Sequence, residues 1–188
     1  MLTLLAIPLF ATPLDSLKHP LPLKIAVLDE SISLPNFWFT RYAFNPALLI
    51  GTEYPIQQKG KHEWYVAANL GFYHHKKSQS AIFINGELGY RYFLGRWRPA
   101  SSFGLAYAHT FYPGPVYESV DGIFQEVSNS GHPTFMPSLA IHLGYQLSTN
   151  DYPPELFLTF MSGVDIPFRQ ETSLHQFVGL GLKLYPFQ

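Results

Sequence analysis

Five charged or ionisable residues fall on the polar positions of stretches in which polar and apolar side chains alternate. They are Glu53, Glu87, Arg91, His142 and Lys183. Gathered in one place, such side chains would form either a polar conduit or ligand site, or a closed network in which acids and bases neutralise one another. We favour the closed network, because a buried charge without a partner is costly. Glu87 and Arg91 lie about 13 Å apart along one strand, so each is expected to pair with neighbouring strands, for example with Glu53 or Lys183.

The composition narrows the classes of function open to the chain. Of 188 residues, 47% are hydrophobic and 13% are charged, with 12 basic residues against 13 acidic ones. A net charge of −1 argues against a strongly basic nucleic-acid binder. The lack of cysteine excludes disulfides, thiolate catalysis and Cys-ligated zinc. We expect no cofactor and no bound metal.

The elements that must position these side chains are β-strands, because the alternation has a period of two. Seven strands are clear, at 46–57, 62–74, 80–93, 100–112, 134–148, 155–166 and 173–186. Strands of about 10–13 residues are typical of a transmembrane barrel, which turns its apolar positions toward lipid and its polar positions into the lumen. A soluble barrel would turn the apolar positions inward, and soluble strands are usually about 5–6 residues long.

Tyrosines near the strand ends are typical of the aromatic girdles that sit at membrane surfaces. The predicted girdle comprises Tyr54, Tyr73, Tyr90, Tyr92, Tyr107, Tyr112, Tyr145 and Tyr185.

The connections between strands set the expected topology. The longest connection, 113–133, contains an Asp121–Gly122 step, which predicts a small hairpin of 116–119 with 123–127. Long loops of outer-membrane barrels are extracellular, so 113–133 is placed outside and the C-terminus in the periplasm. An eighth strand must then precede 46–57, and residues 23–33 are the candidate. The prediction is an all-β, antiparallel up-and-down transmembrane β-barrel of eight strands.

The first 14 residues carry no charge and are mostly apolar. A membrane-spanning helix needs about 20 such residues. We therefore interpret 1–14 as a signal peptide that lacks its basic region, with an apolar tail as the alternative. Residues 15–188 would then form a single barrel domain.

Two sets of loop residues are candidates for contacts outside the barrel. The aromatic set comprises Phe37, Trp38, Phe39, Tyr42, Phe111, Tyr112 and Tyr117. It forms either a recognition surface, since aromatic residues anchor interfaces, or a packed cover over the barrel mouth. The basic set comprises His75, Lys76 and Lys77. It is a candidate contact for lipopolysaccharide phosphates, with a solvated loop as the alternative.

Six stretches carry a resemblance to a known group of proteins. They are NPALLIGTEYPI (45–56), ANLGFYHH (68–75), NGELGYRYFLGRW (85–97), GLAYAHTFYPGPVY (104–117), GHPTFMPSLAIHLGYQL (131–147) and VGLGLKLYPF (178–187). Together they resemble small, mostly uncharacterised outer-membrane β-barrel proteins of Bacteroidetes-type bacteria, with an OmpA-like eight-stranded barrel. The resemblance implies the fold and the outer membrane as location, and it implies no catalytic residues.

The function expected from these observations is non-enzymatic. It is a structural or accessory role in the bacterial envelope, with outer-membrane lipids, lipopolysaccharide and other outer-membrane proteins as partners. One alternative is a lipid-modifying enzyme, since His109 near a strand end invites comparison with outer-membrane lipid A deacylases, which have a His-x-Ser arrangement. Thr110 and Phe111 follow His109, so the serine nucleophile needed for acyl transfer is missing there. The other alternative is a soluble periplasmic ligand-binding barrel.

Overall fold

A computed structural model describes residues 20–32, 44–75, 78–120, 122–149, 152–167 and 173–186. The strands are β1 Leu23–Ile32, β2 Pro46–Lys59, β3 His62–His74, β4 Ser80–Tyr92, β5 Trp97–Phe111, β6 Val116–Val120, β7 Ile123–Val127, β8 His132–Gln146, β9 Glu155–Pro167 and β10 Ser173–Leu184. The segment 1–14, interpreted above as a signal peptide, lies outside the described residues. Within the described ranges, no helix is long and apolar enough to cross a membrane.

Eight strands form a closed antiparallel barrel, which confirms the predicted fold class. Its order is β1-β10-β9-β8-β5-β4-β3-β2, with β1 also paired to β2. The weakly alternating segment 23–33 does supply the first strand. It pairs with β10 from Leu23 opposite Leu184 to Ile32 opposite His175, and this pairing closes the barrel. We call the end with β1's start and β10's finish the terminal mouth, and the opposite end the loop mouth.

The predicted hairpin is also present, as a separate two-stranded sheet of β6 and β7. Gly122 stands in the turn with φ of 79°, a left-handed conformation that glycine adopts without steric cost. We call β6, β7 and their turn the ribbon. It interrupts the connection between β5 and β8 at the loop mouth.

The alternation of β3 shows which face is which. Outward positions such as Trp64, Val66 and Leu70 are exposed, whereas the intervening Tyr65 and Asn69 are buried. An apolar exterior around a polar interior is the arrangement of a transmembrane barrel. It is the reverse of the arrangement expected for a soluble ligand-binding barrel.

Glycines on the inner face make room for large rings from neighbouring strands. A Cβ atom on Gly71 would come 2.0 Å from the ring of Phe83, and one on Gly181 would come 2.2 Å from the ring of Phe157. Glycine paired with an aromatic residue therefore fills the narrow interior of an eight-stranded barrel with side chains.

Outward aromatic rings are present at the terminal mouth, but Tyr73 and Tyr185 are not part of a girdle, since Tyr73 is buried in the lumen and Tyr185 lines a cavity at that mouth. Outward rings meet there in pairs, with Trp64 and Tyr90 at 5.3 Å and Trp97 and Tyr145 at 4.9 Å between centroids. Tyr73 is fully buried in the lumen. The reason is parity: Tyr73 is odd-numbered in a strand whose even positions face outward, so nearness to the strand end did not decide its direction.

Candidate functional site in the barrel lumen

The described residues form three polar clusters in the lumen, and the first surrounds Glu53 near the terminal mouth. Arg91 Nη2 lies 2.5 Å and Lys183 Nζ 2.6 Å from Glu53 Oε1, and Lys24 Nζ lies 3.9 Å from Glu53 Oε2. Arg91 also donates to Glu63 at 2.7 Å. We call Glu53, Arg91, Lys183 and Lys24 the Glu53 cluster. It joins strands β1, β2, β4 and β10, so ion pairs tie distant parts of the wall together.

The second cluster surrounds Glu87, deeper in the lumen. Its carboxylate accepts hydrogen bonds from Asn69 and Asn85 at 2.8 Å each, and from the Ser102 hydroxyl at 2.9 Å. His142 Nε2 lies 3.3 Å from the Ser102 oxygen and 4.0 Å from Glu87 Oε2. Serine and acid thus approach the same ring nitrogen. A catalytic triad needs them on opposite nitrogens, so this buried set is not arranged for nucleophilic catalysis.

The five lumen residues singled out from the sequence therefore divide into two groups. Glu53, Arg91 and Lys183 belong to the first cluster, and Glu87 and His142 to the second. The selection missed Lys24. The signal was available, since Lys24 shares the inward parity of Ala26 and Leu28 on β1.

The third cluster lies beneath the loop mouth, around His175, which is fully buried. His175 Nδ1 lies 2.8 Å from Glu30 Oε1, and its Nε2 lies 3.8 Å from Asp165 Oδ2. The Gln79 amide donates to the Tyr73 hydroxyl at 2.7 Å and to Asp165 at 3.1 Å. These contacts link Gln79, the residue before β4, to Asp165 on β9 and His175 on β10.

Buried aromatic rings from opposite walls meet inside the lumen. Phe83 from β4 and Phe177 from β10 come from opposite walls, and their ring centroids are 6.2 Å apart. Tyr73 lies 5.6 Å from Phe177. All three side chains are buried.

We therefore expect no single-channel conductance from the wild-type chain in planar bilayers, because buried aromatic rings from opposite walls occupy the lumen. A Phe83→Ala/Phe177→Ala double variant is the comparison, since it removes both rings from the same cross-section. Reproducible conductance steps from the wild-type chain would contradict the closed lumen.

A cavity of about 290 Å³ opens at the terminal mouth, above the Glu53 cluster. Its lining includes Glu63, Phe93, Arg98, Tyr152 and Tyr185. Burial, helped by the nearby Glu53 and Glu155 carboxylates, raises the pKa of Tyr185 to about 12, so its hydroxyl stays neutral at physiological pH. We call this space the mouth cavity.

The structure describes some of the predicted loop residues and not others. Phe37, Trp38, Phe39 and Tyr42 of the aromatic set, and Lys76 and Lys77 of the basic set, lie outside the described residues. The backbone NH of His75 donates to the Gln79 carbonyl at 2.9 Å, which forms the β3–β4 turn.

The aromatic residues that follow β5 take two different roles. Phe111 packs on His109 with centroids 5.0 Å apart, and Tyr112 packs on His132 at 5.4 Å, so both are half-buried at the base of the ribbon. Tyr117, in contrast, is exposed on the ribbon.

Two apolar residues of the ribbon were missed by the sequence interpretation. Ile123 is 64% exposed and Phe124 75% exposed. They follow the Asp121–Gly122 step, and a hairpin that stands free of the barrel leaves both of its faces open.

Among the described residues, the hydrogen-bond partners of His109 are a backbone carbonyl and a tyrosine hydroxyl. Its Nε2 lies 2.9 Å from the backbone carbonyl of Ser130, and its Nδ1 lies 3.5 Å from the Tyr107 hydroxyl. Across the described part of the chain, no group of three histidine or carboxylate side chains is arranged to hold a metal ion.

Comparison with solved structures finds the same fold in two proteins of similar size. Neisserial surface protein A matches with a TM-score of 0.53 at 12% identity, over 88% of this chain and 95% of that one. The outer membrane enzyme PagL matches with a TM-score of 0.52 at 10% identity, over 87% and 98%. No family model and no curated protein sequence matches the chain. The fold is thus that of eight-stranded outer-membrane β-barrels, and it leaves the activity open.

Proposed function

We propose that this chain is a non-enzymatic β-barrel of the bacterial outer membrane that presents its ribbon for contact with another component of the envelope. The observation that carries the proposal is the ribbon itself, which stands outside the barrel with Ile123 and Phe124 open to solvent. Exposed apolar side chains on an element of this kind are typical of an interaction site. The proposal also places the ribbon outside the cell and the terminal mouth in the periplasm. It takes the organism to be a Bacteroidetes-type bacterium.

The exterior of the barrel supports the membrane location. Its outward positions carry large apolar side chains on all eight barrel strands, among them Val27, Leu48, Leu70, Ile84 and Leu139. Outer-membrane lipids would cover this surface, because so large an exposed apolar area is not compatible with water.

The base of the ribbon is held to the barrel by hydrogen bonds. The Asn129 amide donates to the carbonyl of Tyr112 at 2.7 Å, and His109 is bonded to the carbonyl of Ser130. A two-stranded hairpin is marginally stable alone, so anchoring at its base gives it a defined place. This favours an element kept for recognition, with another outer-membrane protein as the partner.

The non-enzymatic part of the proposal is supported by the surroundings of His109. A lipid-modifying enzyme of the acyl-transfer class would need an activated nucleophile beside this histidine. Its Nε2 is instead engaged by a backbone carbonyl, which has no nucleophilic hydroxyl to offer.

The test is an Ile123→Ser/Phe124→Ser double variant in the full-length chain. We expect its folding free energy to remain within about 0.5 kcal/mol of the wild type, because both side chains are exposed. In detergent pull-downs from native envelopes, analysed by mass spectrometry, recovery of the partner is expected to fall at least tenfold.

The matched control is Gln125→Ser, at an exposed polar position of the same strand. It should recover the partner as the wild type does. Equal recovery by the double variant, or no specific partner with the wild-type chain, would contradict the proposal.

A further inference from the structure

We propose that the terminal mouth binds a small organic monoanion, a carboxylate whose apolar or aromatic body lies in the mouth cavity while its oxygen reaches Lys24. This site is at the opposite end of the barrel from the ribbon, and it is independent of the interaction proposed above.

The inference starts from two lysines that face each other across neighbouring strands. Lys24 on β1 is directly opposite Lys183 on β10. Like charges in such a pair destabilise a sheet unless an anion lies between them. Glu53 is that anion, but its Oε1 is already taken by Lys183 at 2.6 Å and Arg91 at 2.5 Å.

Lys24 is consequently left without a full complement of acceptors. Lys24 is 5% exposed, and its Nζ lies 3.9 Å from Glu53 Oε2, beyond hydrogen-bond range. The Phe157 ring lies 5.9 Å from Lys24 Nζ and offers no hydrogen-bond acceptor of its own beyond its face. A buried ammonium group has three donors to satisfy, and burial without hydrogen bonds is costly. A guest that brings an acceptor to Lys24 would therefore bind favourably.

A small inner pocket of about 10 Å³ lies beside Lys24, with room for about one oxygen-sized group. Four cationic side chains line it: Lys24, Arg91, Arg98 and Lys183. Among the described residues that line this pocket, Glu53 is the acid. Arg91 and Lys183 also pair with Glu63 and Glu155, at 2.7 and 3.2 Å, so Lys24 and Arg98 are the lining cations that favour an anionic group here.

The inner pocket adjoins the mouth cavity, because Glu53, Tyr65, Arg91 and Arg98 line both spaces. An anionic oxygen in the inner pocket would place the rest of its molecule in the larger space above. That space is walled by rings, including the Tyr152–Tyr185 pair, whose centroids are 5.5 Å apart. About 290 Å³ is at the small end of ligand pockets, which suits a body of the size of one aromatic ring.

The same lining argues against a second negative charge on the guest. Glu63 and Glu155 both face the mouth cavity, where a dianion such as a phosphate ester would have to place its additional charge. Carboxylates repel one another in this setting. A monocarboxylate would bring its single negative charge to Lys24 in the inner pocket. The uncharged part of the molecule would then face Glu63 and Glu155.

The experiment is isothermal titration of the refolded full chain in detergent, at low ionic strength, with benzoate, benzamide and benzylamine as probes of one shape and three charges. We expect saturable binding of benzoate and at least tenfold weaker binding of the other two. Equal binding of benzoate and benzamide, or no saturable binding of benzoate, would overturn the proposal.

A Lys24→Met variant is expected to weaken benzoate binding at least tenfold, whereas Lys24→Arg should retain it. Lys61→Met is the control, since Lys61 is exposed in the turn between β2 and β3. Wild-type affinity in Lys24→Met would overturn the proposal. If Lys24→Met does not fold, the charge series on the wild-type chain decides the question alone.

Discussion

Replacing Leu139 by arginine is expected to destabilise the folded barrel in lipid vesicles by about 2–4 kcal/mol. Leu139 is 65% exposed and stands at the centre of β8, opposite Phe103 of β5 and Ser162 of β9. In a bilayer this position faces hydrocarbon, where a guanidinium group loses its hydration. The measurement is reversible denaturant unfolding in vesicles, followed by tryptophan fluorescence.

Ile123→Arg is the matched control, because Ile123 is 64% exposed but belongs to the ribbon rather than to the barrel wall. Its effect on the free energy of unfolding is expected to stay within about 0.5 kcal/mol. The two side chains have the same size and the same exposure. A difference between the two variants in the free energy of unfolding therefore shows whether the barrel wall is surrounded by lipid or by water. If Leu139→Arg were as harmless as Ile123→Arg, the apolar exterior would not face lipid.

Replacing Glu53 by glutamine is expected to cost about 3–5 kcal/mol of folding free energy, the range for breaking a buried ion pair. The substitution keeps the shape of the side chain but removes the charge that Arg91, Lys183 and Lys24 share. Three cations would then be buried around a neutral amide. Denaturant unfolding in vesicles again gives the value.

Two further variants make the Glu53 result specific. Glu126→Gln removes a carboxylate from the exposed ribbon and is expected to be neutral within about 0.5 kcal/mol. Adding Lys24→Met to Glu53→Gln should restore part of the loss, because Glu53 is the carboxylate that faces Lys24, whereas Lys183 and Arg91 keep Glu155 and Glu63 as partners. Equal stability of Glu53→Gln and Glu126→Gln would mean that water, rather than protein, solvates these charges.

Much of the fold can be predicted from the local pattern of polar and apolar residues in the sequence. A period of two predicts strands, and the parity of each strand divides its residues into two faces. The ribbon is predicted by the Asp121–Gly122 step, whereas the strand at 23–33 is inferred from the placement of the long loop outside, which requires a strand before 46–57. These features depend on neighbouring residues in the chain, so the sequence expresses them directly.

The identity of contacting side chains was decided by the tertiary structure alone. Parity shows that Lys24, Glu53, Arg91 and Lys183 face inward, but their meeting depends on the register of β1 with β10 and on closure of the barrel. Tyr73 shows the same limit, since its partners Gln79 and Phe177 come from other strands or loops. The physical reason is that the alternation along a strand decides only whether a side chain points into the lumen or out of it. Where an inward side chain lies around and along the lumen is fixed only when all eight strands pair.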